Sequence, residues 1–511
     1  MAATSHPRAT LTALDILRDG GNAIDAAVAA MAVHAVVEPQ MTGIGGDCFV
    51  LYAPAGGDIV AYNGFGRACG GATTQWYLDN GITEIASDSA HAVTVPGAVE
   101  AWSRLVDDHG TKDFGELLAT AIGLAETGYP IHPRVAYDWG RFEAKLNANE
   151  TIRRMFLNDG RLFKAGDIFR QPELAATLRA IAKNGADGFY KGPVAEAMVA
   201  TLNGLGGLHT VEDFANVRGD YSSPISTTYR GYDVAECPPN GQGFVALIML
   251  NILEGFDLAS LDPNGAVRLH LEIEAGRLAF RDRDRYFVGH ERSAEHLQTY
   301  LAKDYADRQR ALISSERAMS PSDVSALPAQ SDTVYLTVVD RDANAVSFIN
   351  SLFRPFGSGL LCGKTGVMFH DRGSLFDIDE ASGNTIAPGK RPLHTILPGM
   401  LMQNGRAVMP FGVMGGQYQP FGHAHLLTNI LDHGLDVQQA LDSPRVFYQD
   451  DTVLAESGIS QQIVSELEAL GHVVAPAPAP HGGGQAIWID WERGVLIGGS
   501  DPRKDGCALG Y

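Results

Sequence analysis

Ser314 to Asp332 reads SSERAMSPSDVSALPAQSD, and directly after it stands Thr333-Val-Tyr-Leu-Thr-Val-Val-Asp340. The first stretch is rich in Ser, Pro and Ala and poor in large hydrophobes, the composition of exposed irregular chain. The second is β-branched and aromatic and predicts a strand. The turn-like Arg341-Asp-Ala-Asn344 then leads into a second predicted strand, Ala345 to Ser351. An irregular segment therefore ends abruptly at a threonine that opens a hairpin. A hydroxyl is a weak nucleophile until a base sits beside it. A threonine at a chain N-terminus carries its own base, an α-amine of pKa about 7.7–8.0. An internal threonine lacks that amine, so the chemistry requires a cut between Asp332 and Thr333. Alone the pattern is weak, because many strands begin at Thr for β-propensity reasons.

Two further segments strengthen it. Phe411-Gly-Val-Met-Gly-Gly416 reads as an apolar strand ending in a Gly-Gly turn, which can aim backbone N–H groups at an oxyanion. Lys390-Arg-Pro-Leu-His-Thr395 follows Gly389 and precedes the apolar Ile396-Leu-Pro398, so it offers polar side chains on a constrained turn.

Around this centre, Leu11, Leu14 and Leu17 have helical spacing, Ile24 to Val37 reads as a buried helix, and Pro172 to Lys183 is amphipathic. A long helix is expected from about Ala266 to Phe287, its Arg281-Asp-Arg-Asp-Arg285 run on a solvated face. The chain has 511 residues and a net charge of −21, which argues against a nucleic-acid partner. Five scattered cysteines form no CxxC pair, fitting free thiols in a reducing, cytoplasmic setting. No apolar run is long enough to span a membrane or to form a signal-peptide core. Gly359-Leu-Leu-Cys-Gly-Lys-Thr365 is one residue short of a phosphate-binding loop, and His290-Glu-Arg-Ser-Ala-Glu-His296 misses metalloprotease spacing. No metal and no cofactor is expected.

The order of motifs along the whole chain resembles the γ-glutamyltransferase family of N-terminal-nucleophile hydrolases. The matching stretches include Gly20-Gly-Asn-Ala-Ile-Asp-Ala-Ala-Val28, Gly43-Ile-Gly-Gly46, Asp187-Gly-Phe-Tyr-Lys-Gly192, Thr333 to Asn344, Lys390-Arg-Pro392, Gly415-Gly416 and Asp501-Pro-Arg503. The resemblance implies an α+β fold, a four-layer αββα sandwich shared by a large subunit, 1–332, and a small one, 333–511. It implies Thr333 as nucleophile, Ser351 as the hydroxyl that holds it, and Gly415 and Gly416 as the oxyanion hole. His394 and Thr395 stand where the family has a Ser-Ser pair that binds the donor carboxylate. The partners implied are a small-molecule amide and the two subunits of one precursor, with room for a homo-oligomer.

The departures fall on substrate recognition. The family's carboxylate-gripping arginine aligns with Phe65 in Asn63-Gly-Phe-Gly-Arg67, and its ammonium-gripping acid aligns with Leu375 in His370-Asp-Arg-Gly-Ser-Leu-Phe376. Arg67 and Arg372 remain as candidate carboxylate partners. The pattern is similar to the branch that includes oxamate amidohydrolase and acylase-type members, so a carboxylate-bearing amide without an α-ammonium is the expected substrate. A true γ-glutamyl hydrolase or transferase, and an unprocessed non-catalytic member, are the alternatives.

Overall fold

The computed structural model describes residues 1–288, 294–320 and 333–511; the expected cleavage residue Asp332 and most of the expected linker lie outside the described residues. Two antiparallel sheets dominate. The first has seven strands in the order Cys507–Leu509, Ala2–Thr4, Val334–Val339, Ala345–Ser351, Asp47–Ala53, Val60–Gly64 and Asp220–Ser222. The second has six, in the order Val495–Ser500, Gly483–Asp490, Arg406–Met414, Gly399–Gln403, Tyr232–Glu236 and Ile225–Tyr229. Both sheets interleave strands from before and after Thr333, so a cut there would leave one body, not two domains.

Side-chain alternation defines the layers. In Val334–Val339, residues Val334, Leu336 and Val338 pack outward on a core that includes the helix Ala23–Val37, whereas Tyr335 and Val339 point inward toward the other sheet. Phe49, Leu51 and Ile349 share that inner layer with Ala235, Met400, Met414 and Ile487 of the second sheet. The second sheet's outer face carries Val234, Leu401 and Val413 against the helices Gly243–Leu253, Ala266–Val288 and Gln419–Leu431. The result is the four-layer αββα sandwich.

Ala23–Val37 is buried on every side and is fixed at its start by a capping box between Asn22 and Asp25. The segment 359–365 enters a small hairpin, Leu361–Cys362 with Val367–Met368, and opens no helix, so it lacks the geometry of a phosphate loop. One expectation is corrected. The run Arg281 to Arg285 is not a solvated face: Asp282 and Arg283 are buried. Each has partners inside the fold, Asp282 from the Tyr305 hydroxyl at 2.8 Å and Arg283 toward Gln242 and Gln417, and those bonds compensate the burial of charge.

Candidate active site

The hairpin register sets the site. Val334 pairs with Asn350 and Ser351 pairs with Asp47, so Thr333, one residue before the strand, lies across from Ser351. Thr333, Ser351 and Asp47 share the odd-numbered parity of Tyr335, Ile349 and Phe49, and therefore face the space between the sheets. All three are buried. Thr333 Oγ1 is 3.1 Å from Ser351 Oγ, and Ser351 Oγ also accepts the Phe353 N–H at 2.8 Å. Phe353 holds φ at +77°, a region that bulky residues rarely occupy outside functional sites. Its ring is flanked by Arg354 and Arg372, whose guanidinium carbons lie 4.6 and 4.4 Å from the centroid.

Arg372 connects the hairpin to a buried polar cluster. Its Nε and Nη2 each lie 3.3 Å from an oxygen of Asp47, and its Nη1 donates to Thr395 Oγ1 at 2.9 Å. Asp47 Oδ1 is also 3.0 Å from His394 Nε2. The Ile396 N–H donates to His394 Nδ1 at 3.2 Å, so the neutral ring carries its proton on Nε2, toward Asp47. Burial pushes His394 down to about 4, with Arg372 acting in the same direction and Asp47 opposing. Burial alone would raise the Asp47 carboxyl, but Arg372 and His394 outweigh it and hold it well below the usual carboxylate range. At neutral pH the cluster is thus one ion pair and one neutral imidazole. Phe65 is buried with its ring edge-on to His394 at a centroid distance of 4.5 Å.

The Gly-Gly turn lies at the end of the facing strand Arg406–Met414. That strand runs against the hairpin, as the Ser347 hydroxyl bond to the Phe411 carbonyl at 3.2 Å shows. Gly415 has φ +125° and Gly416 φ +58°, and a Cβ on Gly415 would sit 3.0 Å from Gly482 Cα, so the turn favours glycine on both conformational and steric grounds. Gly416 opens the turn Gly416–Tyr418, which continues into the helix Gln419–Leu431. Gln242 ties this turn to the polar cluster. Its Nε2 donates to the Thr395 carbonyl at 2.9 Å and to the Gly416 carbonyl at 3.4 Å, while its Oε1 accepts from Arg283 at 3.1 Å.

The structure thus brings Thr333 beside Ser351, and Arg372 beside Thr395 and, through Asp47, His394. Arg67 is placed apart from them: its side chain is half-exposed, with Nη2 2.9 Å from Asp220 and Nη1 donating to the Gly389 carbonyl at 3.2 Å. Leu375 is half-buried in the short turn Arg372–Leu375. Sequence reasoning missed Asp47, Gln242 and Phe353. Asp47 follows the Gly43–Gly46 turn directly, a signal that was present; the other two carry none.

A four-layer αββα sandwich whose central hairpin opens at a buried threonine is the architecture of the N-terminal-nucleophile hydrolase fold class. A family model described as Gamma-glutamyltranspeptidase matches residues 9–511, and the chain belongs to that family. It is 34% identical to the Glutathione hydrolase-like YwrD proenzyme of Bacillus subtilis (strain 168), covering 100% of this chain and 98% of that protein. It is also 34% identical, with the same coverage of both, to the Oxamate amidohydrolase proenzyme of Klebsiella pneumoniae subsp. pneumoniae. Among solved structures, cephalosporin acylase from Bacillus halodurans superposes with a TM-score of 0.93 at 38% identity, covering 100% of this chain and 96% of that one. The chain is therefore an enzyme, a hydrolase of this family. Among the described residues, no helix is long and apolar enough to cross a membrane.

Proposed function

We propose that the chain is a proenzyme that cleaves itself before Thr333 and then hydrolyses a small carboxylate-bearing amide through an acyl-enzyme on that residue. The observation that carries this reading is the buried Thr333–Ser351 hydroxyl pair at 3.1 Å on the inner face of the hairpin. In maturation, Thr333 Oγ1 attacks the Asp332 carbonyl; the C–N bond breaks as the C–O ester bond forms, and the nitrogen takes up the proton to become the free α-amine. Water then hydrolyses the ester, leaving a carboxylate on Asp332 and the hydroxyl on Thr333. Residues 1–332 and 333–511 become the large and small subunits. The names of the relatives above, two of them proenzymes, support this order of events.

In turnover, the α-amine takes the hydroxyl proton as Oγ1 attacks the substrate carbonyl, and Ser351 keeps Oγ1 in place. Backbone N–H groups of Gly415 and Gly416 receive the oxyanion. The same amine returns the proton to the leaving nitrogen, and water releases the acid.

For the substrate, Arg372 is the better supported of the two candidate arginines, because Arg67 is engaged at the surface with Asp220. Arg372 has five N–H bonds, of which the contacts to Asp47 and Thr395 account for three, and the remainder suit a carboxylate. An ammonium would meet Phe65 and Leu375 and lose its water without gaining a partner, at a cost of about 1–3 kcal/mol. His394 and Thr395 then shape the carboxylate end of the pocket. The test compares kcat/KM for oxamate or a glutaryl amide with that for a γ-glutamyl anilide. The carboxylate amides without an α-amine are expected to be preferred; a γ-glutamyl preference of about tenfold, roughly 1.4 kcal/mol, refutes the substrate assignment.

A further inference from the structure

We propose that His270, Glu274 and His472 form a binding site for one divalent metal ion of the zinc type. His270 and Glu274 are one turn apart on the helix Ala266–Val288 and project from the same face. His472 comes from the turn between the helix Gln461–Ala469 and the strand Val474–Pro476. All three residues are buried, and their ligand atoms lie within 4.8 Å of one another.

The protonation pattern favours ligation. His270 Nε2 is 2.7 Å from the Ser314 carbonyl, which can only accept, so Nε2 carries the proton. The lone pair on Nδ1 then accepts the His472 Nε2–H at 2.7 Å, and an ion entering between the two nitrogens takes the place of that proton, His472 shifting to its Nδ1–H tautomer. A ligating imidazole whose other nitrogen donates to a backbone carbonyl is the arrangement that fixes tautomer and ring orientation at metal sites. Two imidazoles and a carboxylate are ligands that zinc accepts in tetrahedral geometry at about 2.0–2.2 Å, with water in the fourth position. That geometry separates ligand atoms by about 3.3 Å, so the two rings open slightly and Glu274 closes in by no more than about 1.5 Å from the present 4.8 Å limit.

Glu274 already meets Arg277 at 2.6 Å and the Met319 N–H at 2.7 Å, and each of its oxygens keeps a second lone pair. Arg277 also donates to the Met319 and Ser320 carbonyls and lies 4.6 Å from the Tyr448 ring centroid. Its charge offsets part of the attraction for a cation, which makes the site a moderate binder. The ion takes no part in the chemistry at Thr333. Its effect is a tie: His270, Glu274 and the Ser314 carbonyl precede Thr333, and His472 follows it. If maturation occurs as proposed, the ion joins the two subunits; the binding itself does not depend on that cut.

The experiment is titration of chelator-stripped protein with Zn2+ by calorimetry, and with Co2+ followed by visible absorption. It is run on the wild-type protein and on Thr333→Ala, so a failure of maturation is read separately. One Zn2+ per chain and the intense Co2+ bands of a tetrahedral site are expected in both. His270→Gln and His472→Gln should each weaken Zn2+ binding by at least about 100-fold while circular dichroism stays native. Absence of saturable binding to the unsubstituted chain, octahedral Co2+ bands, or unchanged affinity in folded His472→Gln overturns the proposal. Should the substitutions unfold the protein, the Co2+ spectrum of the unsubstituted chain decides alone.

Discussion

Ser351→Ala removes one oxygen and separates two roles of that hydroxyl. Ser351 Oγ lies 3.1 Å from Thr333 Oγ1 and accepts the Phe353 N–H at 2.8 Å. A net hydrogen bond of this kind contributes about 1–1.5 kcal/mol, so losing the hold on Oγ1 should lower both kcat and the maturation rate by about five- to tenfold. The second loss is structural. The Phe353 N–H sits in a buried turn at φ +77° and is left without its acceptor, which costs about 1–3 kcal/mol of stability. Stopped time courses on gels give the maturation rate, initial rates give kcat, and urea melts give the stability change. Ser351→Thr keeps a hydroxyl and should recover most of the activity. If Ser351→Ala matures and turns over within about twofold of wild type, the hydroxyl pair does not position the nucleophile and the reasoning fails.

Gln242→Ala unties the Thr395 and Gly416 carbonyls, and kcat should fall about tenfold or more, with KM rising as well because Thr395 shapes the carboxylate end of the pocket; an unchanged kcat would contradict a positioning role at the glycine turn. Arg372→Met leaves the buried Asp47 carboxylate without its cationic partner, with only the neutral His394 beside it, and equilibrium unfolding should show a loss of about 3–5 kcal/mol that is partly recovered in the double variant with Asp47→Asn. An additive double variant would contradict the pairing. Burial lowers His6 to about 3 and both His209 and His394 to about 4, against an unfolded value near 6.5. These groups bind protons in the unfolded chain before they do so in the folded one, so stability should fall as the pH drops from about 6.5 toward 4; thermal melts that stay flat or rise across that window would contradict it.

The hairpin, its threonine and the glycine turn were legible because each is encoded locally: β-branched alternation from Val334, a glycine pair after an apolar strand, and an all-apolar helix at Ala23–Val37. What was not legible is assembled across the chain. Asp47 meets Arg372 and His394 only because the strands Asp47–Ala53 and Ala345–Ser351 pair in one register. Gln242 and Arg283 gain their roles from a helix that reaches back to the Gly416 turn, and a charge run read in isolation gives no sign that it will be buried with partners. Arg67, two residues after Phe65, points to the surface because Asp220 of the edge strand Asp220–Ser222 and the Gly389 carbonyl supply its partners there.

On this reading Thr333 becomes an N-terminal nucleophile by its own attack on the bond before it. Intact mass spectrometry of purified wild-type protein, Thr333→Ser and Thr333→Ala tests it most directly. The wild type should yield a fragment that begins at Thr333 and ends at Tyr511, Thr333→Ser should yield the corresponding fragment more slowly, and Thr333→Ala should remain one uncut, inactive chain. Cleavage at another bond, or cleavage or amidase activity in Thr333→Ala, contradicts the account.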